Sequence, residues 1–316
     1  MPTMPTSQLK EAKRPLTDTQ RDPNADRPLI WIDGELVPKS KAKVSVYDHG
    51  LLYGDGCFEG IRAYGGRIFK SRSHIDRLFR SAERIRLEIP YSRDEIDKVM
   101  HECLRANSIA DGYIRLVITR GVGTLGLHPF RCPRPSVICI ADTISLYPPE
   151  MYEQGMPIVV ARRPRIPIDC LDPRIKSLNY LNNILAKIEA IDAGVLEALM
   201  LNKQGEVCEC TGDNVFIVKD GAVATPDSES GLLEGITRRF VIELCKKQGL
   251  KIEERILRLE DVTSADEVFL TGTAAEIIAV KSIDGKAIGD GKGEGPVTKR
   301  LREGFREVLA QGAPED

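Results

Sequence analysis

From Pro28 onward, apolar runs alternate with glycine-rich turns. Leu29-Ile30-Trp31-Ile32 and Leu36-Val37 flank Asp33-Gly34. Glycine accepts the positive φ of a type I′ turn, so this segment predicts a hairpin. The apolar run Val44-Ser45-Val46-Tyr47 leads to a loop at Asp48-His49-Gly50, and Phe58 to Tyr64 reads as a strand that turns at Gly65-Gly66. From Ser73 the period lengthens. Ile75, Leu78, Phe79, Ala82 and Ile85 fall on one helical stripe. Ser92 and Glu95 form a capping box ahead of a second stripe, Ile96, Val99, Met100, Cys103 and Leu104. Tyr113 to Arg120 and Val137 to Ala141 are β-rich. Strands with two helices, lacking regular βαβ alternation, predict an α+β unit.

The pattern breaks at Tyr147-Pro148-Pro149. The segments before and after it are read as two domains, 28–146 and 156–316, joined by a linker at 147–155. The second opens on the strand Ile158-Val159-Val160, followed by a helical stripe at Leu181, Ile184, Leu185, Ile188 and Ile191 that Gly194 ends. Strands are expected over Ala198–Asn202, Val207–Thr211 and Val215–Val218, at Val223-Ala224, around Ile256, and at Val268-Phe269-Leu270. Helices are expected over Thr237–Lys247, stopped by Gly249, and over Pro296–Ala310. Two unlike α+β domains leave a cleft between them, a common seat for small molecules.

A chain of 316 residues buries roughly 75% of its unfolded surface and needs no disulfide or metal staple. The formal charge of -2 lacks the clustered basic excess of a nucleic-acid binder. No apolar run approaches the ~18 residues of a membrane span. The eight cysteines are scattered, several inside apolar runs such as Val137-Ile138-Cys139-Ile140, as expected of small core residues in a reducing compartment. Residues 1–27 mix Pro, Thr, Asp, Lys and Arg without an apolar core, and read as a flexible tail without a secretion signal. The expectation is a cytoplasmic globular protein that binds neither nucleic acid nor membrane.

Two glycine strings mislead. Gly121-Val122-Gly123-Thr124-Leu125-Gly126 matches a dinucleotide fingerprint, but His128-Pro129-Phe130-Arg131-Cys132-Pro133 follows and cannot open the required helix. Gly289-Asp290-Gly291-Lys292-Gly293 lacks the spacing and hydroxyl of a phosphate-binding Walker loop. Cys208-Glu209-Cys210 offers too few ligands for a structural metal, and no metal is expected.

More informative are His74-Ile75-Asp76-Arg77, Gly235-Ile236-Thr237-Arg238 and Thr271-Gly272-Thr273-Ala274, each placing turn or hydroxyl residues where a phosphate could be gripped. Lys176 and Glu209 complete the set. A phosphate cup, a lysine and a carboxylate are what pyridoxal 5′-phosphate (PLP) requires. Each element also has a plainer reading. Glu209 fits a strand with its side chain at the surface, opposite the face of Cys208 and Cys210. Gly235 precedes a helix whose free amides suit a phosphate, yet Thr237 serves equally as an ordinary N-cap. Arg77 projects opposite the stripe of Ile75, Leu78, Phe79 and Ala82, so periodicity makes it solvated. Lys176 on its own is a surface lysine.

Taken together these stretches resemble the class IV aminotransferases, the fold type IV PLP enzymes, and most of all their branched-chain amino acid group. The resemblance rests on Tyr53-Gly54-Asp55-Gly56-Cys57-Phe58-Glu59-Gly60-Ile61-Arg62, Lys176-Ser177-Leu178-Asn179-Tyr180-Leu181, Glu209 with Thr211-Gly212-Asp213-Asn214-Val215-Phe216, Gly235-Ile236-Thr237-Arg238 and Thr271-Gly272-Thr273-Ala274-Ala275-Glu276. It implies a two-domain α+β fold like that of D-amino-acid aminotransferase, with mixed or antiparallel sheets and flanking helices. It also implies roles. Lys176 would hold PLP covalently and move the α-proton. Glu209 would bond the pyridine nitrogen, and Tyr180 the ring hydroxyl. Arg77, Gly235, Ile236, Thr237, Gly272 and Thr273 would enclose the phosphate. Thr273 and Ala274 would clasp the substrate α-carboxylate. Tyr53, Phe58, Gly60, Arg62 and Tyr113 would line an apolar pocket, with Arg115 receiving the distal carboxylate of glutamate. The implied reaction is reversible amino transfer between L-leucine, L-isoleucine or L-valine and 2-oxoglutarate, in a homodimer or higher homo-oligomer. D-amino-acid aminotransferase and aminodeoxychorismate lyase share the fold, and a non-catalytic binding protein on the same scaffold is a reading of another class. Cys57 departs from the aliphatic residue common in the branched-chain group, and the basic stretch Arg162-Arg163-Pro164-Arg165 has no role in this picture.

Overall fold

The computed structural model describes residues 27–144 and 147–312. The tail assigned to 1–27 therefore lies outside the described residues, except for Arg27. Six strands form the first sheet: β1 (Leu29–Ile32), β2 (Glu35–Pro38), β3 (Gly56–Tyr64), β4 (Arg67–Ile68), β5 (Gly112–Thr119) and β6 (Ser136–Asp142), in the order β2-β1-β6-β5-β3-β4. Asp33 and Gly34 both have positive φ, 50° and 109°, as the hairpin turn between β1 and β2 requires. On one face lie α2 (Ser71–Arg84) and α3 (Arg93–Ala106), which follow the short α1 (His49–Tyr53). The Ser92–Glu95 capping box is formed. Ile75, Leu78, Ile96 and Met100 pack on Ile61, Ile114, Leu116 and Ile118, the alternate residues of β3 and β5 that point to one side.

Nine strands build the second sheet. They are β7 (Met156–Val160), β8 (Ala198–Leu201), β9 (Val207–Cys210), β10 (Asn214–Lys219), β11 (Ala222–Thr225), β12 (Ile252–Glu254), β13 (Glu267–Gly272), β14 (Glu276–Ile283) and β15 (Lys286–Ala287). The order is β12-β11-β10-β13-β14-β7-β8-β9, with β15 on β14. The β11–β12, β14–β7 and β7–β8 pairs are parallel and the rest antiparallel, so the sheet is mixed. Four more helices accompany it: α4 (Pro149–Gln154), α5 (Leu181–Asp192), α6 (Ile236–Lys247) and α7 (Leu259–Thr263), and α8 (Pro296–Ala310) closes the chain. An aromatic cluster of Phe216, Phe269, Phe240 and Phe305 fills the space under α6 and α8. Phe69, from the first half of the chain, inserts there with ring centroids 5.3 Å from Phe240 and 5.5 Å from Phe305.

Several elements differ from expectation. The expected loop Asp48-His49-Gly50 is the start of α1, which Asp48 caps through its bond from Gly50 N–H, and the apolar run of Val44, Val46 and Tyr47 before it stands exposed. The stretch 147–155 carries α4. Ile256 lies outside β12 and is exposed. Strand β14 lies outside the strands expected from the pattern; its continuous apolar run Ile277-Ile278-Ala279-Val280 is buried on both faces.

Candidate active site

The segment carrying Lys176 lies between the two sheets and is pinned to the first. Phe58 N–H donates to the Lys176 carbonyl at 3.0 Å, and Leu178 N–H to the Gly56 carbonyl at 3.0 Å, extending the β3 edge. Lys176 N–H donates to Ser81 Oγ at 3.1 Å. The half-buried side chain is thus held at its base. Its Nζ donates to Tyr180 Oη at 3.0 Å and sits 4.8 Å from the Phe58 ring centroid. Tyr180, the residue before α5, packs edge-on against Phe58. Lys176 is therefore an oriented lysine, unlike the surface residue that is the default for its type.

Behind Lys176 lies a recess of about 50 Å³ lined by Arg77, Glu209, Gly235, Ile236, Thr237, Gly272 and Thr273, among others. All four residues of β9 are buried, which overturns the reading of Glu209 as a surface residue. The neighbouring loops cover the face where solvent was expected. Glu209 Oε2 accepts from Leu233 N–H at 3.0 Å and Asn214 Nδ2 at 3.3 Å. Oε1 accepts from Arg165. Arg77, read from periodicity as solvated, is also buried. Its face of α2 meets β3, where Nε and Nη2 bind Glu59 at 2.8 and 2.7 Å and Nη1 donates to the Glu234 carbonyl at 2.9 Å. His74 donates to the same carboxylate at 2.8 Å.

Gly235, and not Thr237, is the N-cap of α6, and no side chain caps that end. The amides of its first turn therefore face the recess without a side-chain acceptor. A Cβ on Gly235 would fall 2.1 Å from Asn214 Oδ1, and one on Gly272 1.9 Å from Asp213 Oδ1, so a side chain at either position would displace a buried, hydrogen-bonded polar group beside the recess. Thr271 Oγ1 is buried in the same recess without a hydrogen-bond partner. Uncapped amides, a guanidinium and an orphaned hydroxyl at one end, with a buried carboxylate and a lysine at the other, fit a phosphorylated cationic ring.

The recess opens into a cavity of about 530 Å³ whose lining includes Phe58, Gly60, Tyr113, Arg115, Thr273 and Ala274. Tyr113 and Arg115 point the same way from β5. Arg115 Nη2 donates to Tyr113 Oη at 3.3 Å, and the guanidinium lies 4.7 Å from the Phe58 ring centroid. Two expected pocket residues are elsewhere. Tyr53, the last residue of α1, accepts from Gly126 N–H at 2.9 Å through its Oη, and Arg62 lies over the Tyr64 ring with its Nε buried and unpaired. Neither lines the cavity.

The far wall was not anticipated. Tyr147, Lys187, Glu197, Thr211 and Asp213 line it. Tyr147 Oη donates to Asp213 Oδ2 at 2.8 Å, Lys187 Nζ pairs with Glu197 at 3.1 Å, and Thr211 donates to Glu197. Burial, reinforced by Glu197, pushes the Asp213 carboxyl up to about 7. Burial also raises Glu209, opposed by Arg165, the Leu233 amide and Lys176. Glu59 goes the other way. Burial would raise it, but the Arg77 guanidinium and His74 hold it well below the usual carboxylate range. Glu59 and Asp213 stood inside motifs already singled out, whereas Arg165 and Tyr147 stood in a basic stretch and a chain break to which the sequence assigned no site role. Among the described residues, no group of three or more His, Cys, Asp or Glu could hold a metal ion, and no helix is long and apolar enough to cross a membrane.

Comparison with known proteins yields the same grouping. The "Amino-transferase class IV" family matches residues 56–283. A "Putative branched-chain-amino-acid aminotransferase" from Methanocaldococcus jannaschii is 50% identical over 279 residues, spanning 88% of this chain and 96% of that one. A "D-alanine aminotransferase" from Listeria monocytogenes is 37% identical over 288 residues, spanning 90% and 98%. Among solved structures, the branched-chain amino acid aminotransferase of Escherichia coli superposes with a TM-score of 0.87 at 37% identity, covering 91% of this chain and 96% of that one. That of Thermobaculum terrenum in its PLP form gives 0.82 at 33%, covering 92% and 96%. Sequence, fold and the recess around Lys176 agree: this chain belongs to the class IV aminotransferases, within the fold type IV architecture.

Proposed function

We propose that the chain is a PLP-dependent branched-chain amino acid aminotransferase, moving an amino group reversibly between L-leucine, L-isoleucine or L-valine and 2-oxoglutarate. The observation that carries this reading is the meeting, in one recess, of Lys176 Nζ, the buried Glu209 carboxylate, Arg77 and the uncapped start of α6. PLP supplies an electron sink, and the protein tunes and orients it. Arg77, the Ile236 and Thr237 amides and Thr273 would hold the phosphate, and Glu209 would pair with the ring nitrogen. Lys176, steadied by Tyr180, would attach the cofactor and, when free, would move the proton at the substrate Cα as base and then acid. Thr273 and Ala274 receive the α-carboxylate. Phe58, Gly60 and Tyr113 exclude water and accept an aliphatic side chain. Arg115, bonded to Tyr113 at the same wall, receives the second carboxylate of glutamate or 2-oxoglutarate.

We take the two sheets as domains 28–146 and 156–316, joined through 147–155. Eight free thiols, most of them buried, support a cytoplasmic setting. Tyr53 and Arg62 keep a substrate role only where a neighbouring subunit completes the pocket, in keeping with a homodimer or larger assembly. The similarity to a D-alanine aminotransferase makes D-amino acids the second reading.

The deciding experiment pairs a donor panel with Lys176→Ala. L-leucine should be turned over with 2-oxoglutarate far faster than D-alanine, and aminodeoxychorismate should release no pyruvate. Lys176→Ala should abolish both turnover and the visible absorption of lysine-bound PLP. Preference for D-alanine would replace the substrate assignment. Survival of the absorption and turnover in Lys176→Ala would overturn the site.

A further inference from the structure

We propose that Arg165 is a positioning residue of the active site, whose fork holds Glu209 as the charged partner of the cofactor ring nitrogen. The proposal rests on the assignment of Glu209 made above. Arg165 sits in the basic stretch that the sequence left without a role, yet it is buried. Its Nε and Nη2 reach Glu209 Oε1 at 3.0 and 2.9 Å. Nη1 is tied to Asn183 Oδ1 at 3.0 Å and Asn182 Oδ1 at 3.3 Å, both on the first turn of α5. Asn183 in turn donates to the Thr211 carbonyl at 2.9 Å. Arg165 thus links the strand carrying Glu209 to the helix that follows Lys176 and Tyr180. A planar, permanently charged guanidinium can hold a carboxylate and two amide oxygens in one arrangement, which a lysine cannot.

The fork matters because Glu209 is buried among mixed charges. Arg165, Lys176 and Arg77 favour its ionised form, and Asp213 opposes it. One proton is shared between Glu209 and the ring nitrogen facing it. With Arg165 in place, Glu209 remains a carboxylate and the proton stays on nitrogen, where the ring withdraws electrons best. Without Arg165 the balance of burial favours a neutral acid. Glu209 then takes the proton and donates to a neutral ring nitrogen.

The test uses the holoenzyme reconstituted with PLP isotope-labelled at the ring nitrogen, whose magnetic-resonance shift separates protonated from neutral pyridine. Wild type is expected to give the protonated signal at neutral pH. Arg165→Gln should shift it to the neutral range and lower kcat by roughly tenfold or more with KM little changed, the mark of an interaction strengthened in the transition state. Arg165→Met, which keeps the aliphatic stem, carries the same expectation if the glutamine variant does not fold. Arg165→Lys should return the proton to nitrogen. A protonated signal in Arg165→Gln or Arg165→Met overturns the proposal. If Glu209→Gln also leaves the signal protonated, it is the assignment of Glu209 that fails. If Glu209→Gln neutralises the ring while the Arg165 variants do not, only the role of Arg165 fails.

Discussion

The Glu59 carboxylate decides whether Arg77 can serve at the recess. It is fully enclosed between β3 and α2, with both oxygens on Arg77 and one also on His74. Burial keeps His74 below its ordinary value despite the pull of Glu59, so the cluster carries one negative and one positive charge. Replacing Glu59 with Gln leaves a buried guanidinium without its counter-charge, a loss of about 3 kcal/mol for a broken buried pair. The pH dependence has a definite sign. Because the folded carboxyl titrates below its ordinary 4.5, its stabilisation is complete above that value and is lost as the pH falls through and below it. The melting temperature of Glu59→Gln should therefore lie well below that of wild type at pH 7, and the gap should hold down to about pH 5 and narrow only in thermal scans carried below pH 4.5. A gap unchanged with pH would mean that the pair is not charged. The Cys57 thiol beside this cluster is driven up to about 12 by burial, with Glu59 next, and is an inert core residue at neutral pH.

The geometry of paired strands governs the substrate wall. Gly60 lies opposite Arg115 in the β3–β5 ladder, and Tyr113, two residues away on the same face, folds over it. A Cβ at Gly60 would come within 1.8 Å of Tyr113 Oη. The clash involves the tip of a ring and not backbone, so the fold can absorb it by turning Tyr113 aside. Gly60→Ala should accordingly cost about 1 kcal/mol or less in stability. It should raise KM for both L-leucine and glutamate, because Arg115 loses the hydroxyl that steadies it. Steady-state kinetics beside a melting curve will test this. A large stability loss with KM intact would refute it. The same elements mark what could be read in the sequence. Alternation exposed β5, and the capping box with its stripe exposed α3, because each has one face drier than the other, whereas β3 is buried on both faces and was legible from its β-rich run ending at Gly65-Gly66. Periodicity could not reveal that α2 is buried on two sides, with Arg77 on the second, because a charged residue opposite an apolar stripe looks the same whether it meets water or a carboxylate. Nor could it reveal the Arg165–Glu209 contact, whose partners are 44 positions apart.

In the molecule as a whole, α5 leaves an apolar face uncovered among the described residues. On α5 the residues packed inward are Asn183, Ala186 and Ala190, while Leu181, Ile184, Ile188 and Ile191 stand 65%, 52%, 46% and 60% exposed. The stripe that identified this helix in the sequence thus points away from its own core. Periodicity fixes that a face is apolar but not what covers it. An uncovered row of four large aliphatic residues at helical spacing is the mark of a binding surface. Ile184 and Lys187 also line the substrate cavity, so whatever docks on α5 stands beside the reaction. A second copy of the chain on this face would couple assembly to catalysis and bring another subunit to the pocket that Tyr53 and Arg62 do not reach alone. Ile188→Asp combined with Ile191→Asp places two carboxylates on the stripe without touching the recess around Lys176. Sedimentation should then show the dimer dissociation constant raised by at least ~100-fold, about 2.7 kcal/mol. Amino transfer should fall at concentrations where the protein is monomeric and recover as concentration rises. Cofactor absorption should persist, because the recess lies within one chain. A variant that stays dimeric and fully active would remove α5 from the interface. One that is monomeric and fully active would break the link between assembly and the cavity.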